Sequence, residues 1–269
     1  MNGKLIGEGG SSKVYRIWSK EKNDFVVEKR SRYPLVWESV WLRKLQGFSV
    51  PKFYGIRKEK GCWILMMEYV YGKTLEELIA EQPAENKRLF EIVENVIIEL
   101  IRIRRIYPDL VFCDLKPSNI IVNRDRQITF IDFDSVSRAG VKKICKGTRP
   151  YAAPEIFQGI PDRKSDIYSI AQIVWQINAW KLDGLFFGVI APCIRKEVPK
   201  RQGNPEWLLK KIKIHRIKLQ ILHLLEVIGK KIRFLLLVFA VLFIVIWLLE
   251  KNHDIIKFTR AVRDCIIVV

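Results

Sequence analysis

The chain has 269 residues, with 47 Lys/Arg against 29 Asp/Glu and a formal net charge of +18. That length holds one sizeable core, or a two-lobed domain with an appendage. The five cysteines (62, 113, 145, 193 and 265) are odd in number and form no metal-like C-x-x-C pair, so reduced thiols in a cytosolic compartment are expected. Residues 1–10 lack the charged start and apolar run of a signal peptide, and no internal repeat is visible. The charge is uneven: Arg195 to Arg233 carries twelve Lys/Arg against three Asp/Glu. Such a block suits anionic lipid or nucleic acid. It contains no nucleic-acid motif and runs directly into an apolar stretch, so lipid is the expected partner and nucleic acid is not.

In chain order, Leu5 to Ile17 reads as strand, glycine turn, strand. Gly7 and Gly9 let the backbone approach an anion closely, while Ser12 stands where a third glycine would make the loop more pliant. Asp24 to Lys29 reads as a strand with Val27 and Lys29 on one side. If that side faces the glycine turn, Lys29 reaches a bound phosphate; otherwise it is a solvated strand end. Pro34 to Leu45 has helical spacing, with Glu38 on the face of Trp41, Leu42 and Leu45. An acid there requires a cation, and Lys29 is the candidate; the other reading is a surface glutamate. Cys62 to Val70 is a buried strand, Thr74 and Glu77 form a capping box, and Asn86 to Ile106 is a long amphipathic helix.

The segment Val111 to Asn123 then places Asp114, Lys116 and Asn119 at fixed offsets between apolar anchors. The apolar run from Ile128 to Phe133 adds Asp132. Two short strands here would bring Asp114, Asn119 and Asp132 to one edge. One carboxylate to orient a hydroxyl, with an acid and an amide to hold Mg²⁺, is the set that phosphoryl transfer needs. Farther on come Gly147-Thr148, the triplet Ala153-Pro154-Glu155, and a helix from Ser165 to Trp175. Near that helix N-terminus, Asp166 is placed to accept amides of the central loop.

Taken together, residues 5–209 resemble the eukaryotic-type Ser/Thr protein kinase family. The resemblance implies an α+β, two-lobed protein-kinase-like fold with a β-rich N-lobe (1–70) and a helical C-lobe (71–209). Gly7, Gly9, Ser12 and Val14 are similar to the loop that covers the ATP phosphates. Lys29 and Glu38 are similar to the phosphate lysine and its partner. Met67 to Val70 is similar to the hinge, where the Glu68 carbonyl and Val70 backbone would hold adenine between Val14, Val27 and Ile121. The resemblance makes Asp114 the residue that orients the hydroxyl, Lys116 and Thr148 the mark of Ser/Thr substrates, and Asn119 and Asp132 the Mg²⁺ ligands. It also implies that Arg201 pairs with Glu155. Phe112-Cys113 stands in place of His-Arg, implying lost packing behind the loop and no partner for a phosphorylated activation loop. Asp134 stands in place of the glycine of Asp-Phe-Gly. Every residue that handles ATP or metal is present, which favours an active enzyme; the alternative is a pseudokinase acting as a membrane-tethered scaffold. A third reading is a kinase for a small molecule or lipid headgroup.

Asn204-Pro205-Glu206 reads as a helix start. Residues 210–233 form a basic amphipathic juxtamembrane helix. The sixteen residues from Phe234 to Leu249 carry no charge, and at about 1.5 Å each they span about 24 Å, against a hydrocarbon core of roughly 30 Å. Snorkelling by Arg233 and Lys251 would close the difference. The other reading is a buried core helix. The denser Lys/Arg before the span puts the N-terminal domain in the cytoplasm of a single-pass protein, and leaves 250–269 as a short outer tail.

Overall fold

The structure, a computed structural model, describes residues 3–81, 86–143, 145–177 and 184–266, the last stretch as backbone only from residue 249. The expected contributions of the Lys251 side chain, Cys265 and residues 267–269 lie outside the described residues. Two compact units are present, residues 1–216 and 217–269.

The first unit opens with β1 (Lys4–Glu8), β2 (Ser12–Ser19) and β3 (Asp24–Ser31), followed by α1 (Val36–Lys44), β4 (Phe53–Glu59) and β5 (Cys62–Glu68). The strands form one antiparallel sheet in the order β1-β2-β3-β5-β4. Register pairs Lys29 of β3 with Val14 of β2 and with Leu65 of β5. Because side chains alternate along a strand, this sets Val27 and Lys29 on one face, as the sequence predicts. Strand β4 has no counterpart in the sequence reading. A register shift beside Gly55 interrupts its pairing with β5, and its second half, Arg57 to Glu59, is charged. These features hide an edge strand from any test of alternation.

After β6 (Lys73–Thr74), the helices α2 (Leu75–Glu81) and α3 (Asn86–Ile106) build the C-terminal part of this unit. Thr74 and Glu77 close the expected capping box: the Glu77 amide donates to Thr74 Oγ1 at 3.1 Å and the Thr74 amide donates to Glu77 Oε2 at 2.7 Å. The short strands β7 (Leu110–Val111), β8 (Ile120–Val122), β9 (Ile128–Phe130) and β10 (Ser137–Arg138) pair as β6-β8-β9 and β7-β10. Then follow α4 (Pro154–Phe157), the apolar α5 (Ser165–Ile177), α6 (Ala191–Cys193) and α7 (Pro205–Ile266). The sequence predicts a strand-like run as far as Phe133, but β9 stops at Phe130. Two residues later Asp132 takes φ +67°, which no extended strand accommodates.

Helix α7 begins where the sequence puts it, with the Trp207 amide donating to Asn204 Oδ1 at 2.6 Å. Its first turns belong to the first unit. Leu208 and Ile212 are fully buried, and Arg216 donates to Glu94 of α3 at 2.7 Å. The expected juxtamembrane segment therefore starts inside the lobe and is continuous in one helix with the apolar stretch. In the second unit, every side chain from Phe234 to Leu248 is exposed. By length and composition α7 is a candidate to cross a membrane.

Candidate active site

A cleft of about 400 Å³ lies between the five-stranded sheet and the β8-β9 hairpin. All nine residues expected around the nucleotide line it: Gly7, Gly9, Ser12, Val14, Val27, Lys29, Glu68, Val70 and Ile121. Glu38, Lys116, Asn119 and Asp132 line it too. Met67 and Tyr69 of the expected hinge segment line it as well, while the sequence reading misses Ile6, Glu8, Pro51, Ser118 and Ile131, which share the wall. All but Pro51 sit one position from an expected residue, and only the three-dimensional path reveals which way they point; Pro51, on the segment between α1 and β4, has no expected residue near it in sequence. Neither Gly7 nor Gly9 adopts a left-handed backbone. A Cβ at Gly7 would meet only Val14, at 3.6 Å, so the space that these glycines leave open belongs to the cleft.

Lys29 organises the floor. Its ammonium donates to Glu38 Oε1 at 3.0 Å and to Asp132 Oδ1 at 2.7 Å. Both Lys29 and Glu38 are buried, so each gives up its hydration and depends on the other to offset that cost. Burial opposes the Lys29 charge, but the two carboxylates more than offset it and hold its pKa above the ordinary lysine value. Burial pushes Glu38 up to about 7 against the pull of Lys29. Asp132 is held below the ordinary range, because the nearby ammonium outweighs its burial. Glu38 Oε1 also accepts the Phe133 amide at 3.4 Å, so one carboxylate of α1 steadies both the lysine and the loop that carries Asp132.

The second cluster stands on the segment from Phe112 to Asn119. Lys116 Nζ lies 2.8 Å from Asp114 Oδ2 and donates to Thr148 Oγ1 at 2.8 Å. The Asn119 side-chain amide donates to the Asp114 carbonyl at 3.0 Å, and the Ile131 amide donates to the Asn119 carbonyl at 3.0 Å. These bonds bring Asp114, Asn119 and Asp132 to one edge. Asp114 Oδ1 is buried with no hydrogen-bond partner among the described residues. Because Asn119 commits its nitrogen to Asp114, its amide oxygen is left to serve a cation. With the Asp132 carboxylate it makes a pair of hard oxygen donors that fits Mg²⁺. Among the described residues there is no cluster of three or more His, Cys, Asp or Glu of the kind that holds a metal by protein ligands alone.

The supporting elements are buried and polar. Asp166 accepts the Phe112 amide at 3.0 Å and Arg104 at 2.9 Å; burial pushes its carboxyl up against those partners. Arg104, on the last turn of α3, is another partner that the sequence reading misses. Glu155 and Arg201 pair in the interior. The Phe112 ring, expected to lose packing, instead lies 4.9 Å from Phe130 and 6.4 Å from Phe133. Asp134 does not adopt the left-handed backbone for which glycine would be needed. That conformation falls on its neighbour Asp132 and on Cys113, at φ +67° and +66°. Gly147 has a different constraint: a Cβ there would come within 2.5 Å of Ala152, so the backbone before Thr148 passes too close for any side chain.

With this geometry in place, a family profile for the protein kinase domain matches residues 1–182. The chain is 26% identical to an ankyrin repeat-containing protein kinase A of Dictyostelium discoideum, over 64% of this chain and 12% of that protein. It is 27% identical to receptor-interacting serine/threonine-protein kinase 4 of Mus musculus, over 65% of this chain and 25% of the relative. It is 29% identical to the serine/threonine-protein kinase pkn3 of Myxococcus xanthus, over 64% and 36%. The chain thus spans about a third or less of the length of these curated relatives.

Proposed function

The chain belongs to the protein kinase family, and on that premise we propose that it is an ATP-dependent serine/threonine protein kinase working at the cytoplasmic face of a membrane. The observation that carries this reading is the assembled floor of the cleft, with Lys29 bonded at once to Glu38 and Asp132. Phosphoryl transfer depends on positioning and charge, and the arrangement supplies both. Lys29 holds the α- and β-phosphates of ATP. Asp132 and Asn119 are the residues that would hold Mg²⁺, which when bound neutralises charge on the phosphate oxygens. Asp114 orients the Ser or Thr hydroxyl of a protein substrate and takes its proton late. The bond from the γ-phosphorus to the β,γ-bridging oxygen breaks as the bond to the hydroxyl oxygen forms. Lys116, between Asp114 and Thr148, stabilises charge on the moving phosphoryl group.

The membrane part rests on α7, whose apolar stretch is fully exposed, and on the basic block before it. That block suits anionic lipid on the cytoplasmic side. A second reading, a scaffold that binds nucleotide without transfer, draws on the departures at Phe112-Cys113 and Asp134. One assay decides between the two: transfer from ATP to the chain itself and to a casein-type acceptor, by the full chain in detergent. The kinase reading requires turnover that disappears in both Asp114→Asn and Lys29→Met. Nucleotide binding without turnover in the parent sinks it in favour of the scaffold.

A further inference from the structure

Two buried cysteines share one cluster behind the active site. Cys113 directly precedes Asp114, and Cys145 lies three residues before Thr148. Both are buried, and they share one cluster with Val111, Ala152, Ala153 and Ile156. We propose that Cys113 and Cys145 are a peroxide-sensitive pair that closes into a disulfide, tying the catalytic loop to the segment that leads into Thr148.

The surroundings divide the roles. The adjacent Cys113 thiol, with the nearby Lys143 ammonium and Ser137, holds the Cys145 thiol down at about 7 despite its burial. The Cys113 thiol donates to the Val111 carbonyl at 3.6 Å, and with Cys145 beside it and deep burial it is pushed up. Lys143 is itself fixed in place: it donates to the Val136 carbonyl at 2.9 Å and lies 4.5 Å from the centre of the Trp37 ring. Cys145 is also the less enclosed of the two, 7% exposed against 1% for Cys113, so it is the sulfur that peroxide reaches first and Cys113 is the resolving one. Cys193 serves as a contrast, because burial pushes its thiol up to about 12.

The chemistry balances with hydrogen peroxide as oxidant. The Cys145 thiolate attacks one peroxide oxygen, the O–O bond breaks, and the departing hydroxide takes up a proton to become water. Cys145 is then a sulfenic acid. As the Cys113 proton passes to the sulfenic hydroxyl, the Cys113 sulfur attacks the Cys145 sulfur, the S–O bond breaks, and the protonated hydroxyl leaves as a second water. Two thiols and one peroxide give one disulfide and two waters; a dithiol reductant reverses it. An S–S bond of about 2.05 Å is shorter than a contact between two thiols, so closure draws on the backbone on either side. One side is next to Asp114 and the other leads to Thr148, so the chain Asp114–Lys116–Thr148 is disturbed. Lys29 and Glu38, on β3 and α1, are not.

The test uses the full chain in detergent, treated with hydrogen peroxide and digested with trypsin without reductant. The expected result is a peptide carrying Cys113 joined to one carrying Cys145, released by dithiothreitol and missing in Cys145→Ser. Cleavage of the undigested chain after Lys142 and Lys143 slows on oxidation. The effect on activity rests on the proposed kinase function: phosphoryl transfer falls about a hundredfold, the scale of an ångström-sized misplacement, and returns with dithiothreitol. Cys145→Ser resists the loss, and ATP binding is retained. Oxidation of Cys145 with no joined peptide overturns the pair, as does cross-linking mainly to Cys62 or Cys193. A joined pair with unchanged transfer overturns its control of activity. If the reduced parent transfers no phosphate, the kinase reading fails, and the joined peptide with its slowed cleavage still decides whether the latch exists.

Discussion

Arg201 and Glu155 meet inside the lobe as a bidentate pair, Nη1 to Oε1 at 2.5 Å and Nη2 to Oε2 at 2.9 Å. Arg201 is 2% exposed and Glu155 5%. Ser165 at the start of α5 donates to Glu155 at 2.6 Å, so the pair joins α4, α5 and the segment before α7. Removing one partner leaves a buried charge uncompensated, which costs about 3–5 kcal/mol. Arg201→Ala is expected to lose that much stability in urea unfolding. Arg201→Met with Glu155→Leu should recover a large part of it, since no lone charge then remains. Burial raises the Glu155 pKa, but Arg201 and Ser165 outweigh it, and the net shift is downward. The pair's contribution is therefore present above the unfolded value of 4.5 and fades as pH falls through the folded one. A single substitution that leaves the midpoint unchanged would show that the pair contributes nothing.

Glu38 sets a pH dependence with the opposite slope. Burial raises it to about 7, so the folded chain holds its proton more tightly than the unfolded chain. Its contribution to stability is full below the unfolded value of 4.5 and is lost as pH rises through about 7. Activity runs the other way, because only ionised Glu38 pairs fully with Lys29. The expected outcome is that kcat/KM for ATP, which reports on the free enzyme, falls as pH drops through about 7. Glu38→Gln should give a lower and flatter profile. A profile in Glu38→Gln that still bends near 7 would assign the titration to another group.

These pairings mark the boundary of what the sequence makes legible. Periodicity and caps locate α3 and the starts of α2 and α7, since their signals lie within a few adjacent residues. The offsets among Asp114, Lys116 and Asn119 identify the loop, and the structure brings Asp132 to it. Strand β4 escapes, because an irregularity beside Gly55 and a charged second half erase its alternation. The Arg104–Asp166 bond escapes as well, since it links residues 62 positions apart and nothing near either one marks the other. The same holds for Trp37 of α1, which donates to the Val136 carbonyl at 2.7 Å. Phe112 shows the limit of judging a departure one residue at a time. Alone it is a lost histidine; beside Phe130 and Phe133 it completes an apolar stack.

That stack gives a direct test. Phe112 is buried, its amide held by Asp166 and its ring by Phe130 and Phe133. Phe112→Ala removes the ring and leaves a cavity, at a cost of about 3–5 kcal/mol. Phe112→Leu keeps most of the volume and should cost less than about 1.5 kcal/mol. Thermal unfolding of the two variants measures the difference. Equal losses in both would mean that the ring contacts contribute little and the backbone bond to Asp166 carries the position.

The apolar stretch of α7 makes a prediction independent of catalysis. From Phe234 to Leu248 its side chains are exposed all around the helix, with Lys230, Lys231 and Arg233 just before it. Water penalises so much unpaired apolar surface, whereas a bilayer accepts it. The full chain is expected to stay with membranes after alkaline carbonate washing and to leave them in detergent. An arginine at the centre of a span costs about 2.5–3.5 kcal/mol on insertion scales. Leu242→Arg together with Val238→Arg should therefore move most of the chain into the carbonate supernatant, while Ile214→Arg, at an exposed position within the first unit, should not. A parent chain released by carbonate would show that α7 lies on the membrane or against a partner instead of crossing it. The density of positive charge ahead of the span predicts that protease added to sealed, right-side-out vesicles leaves residues 1–216 intact.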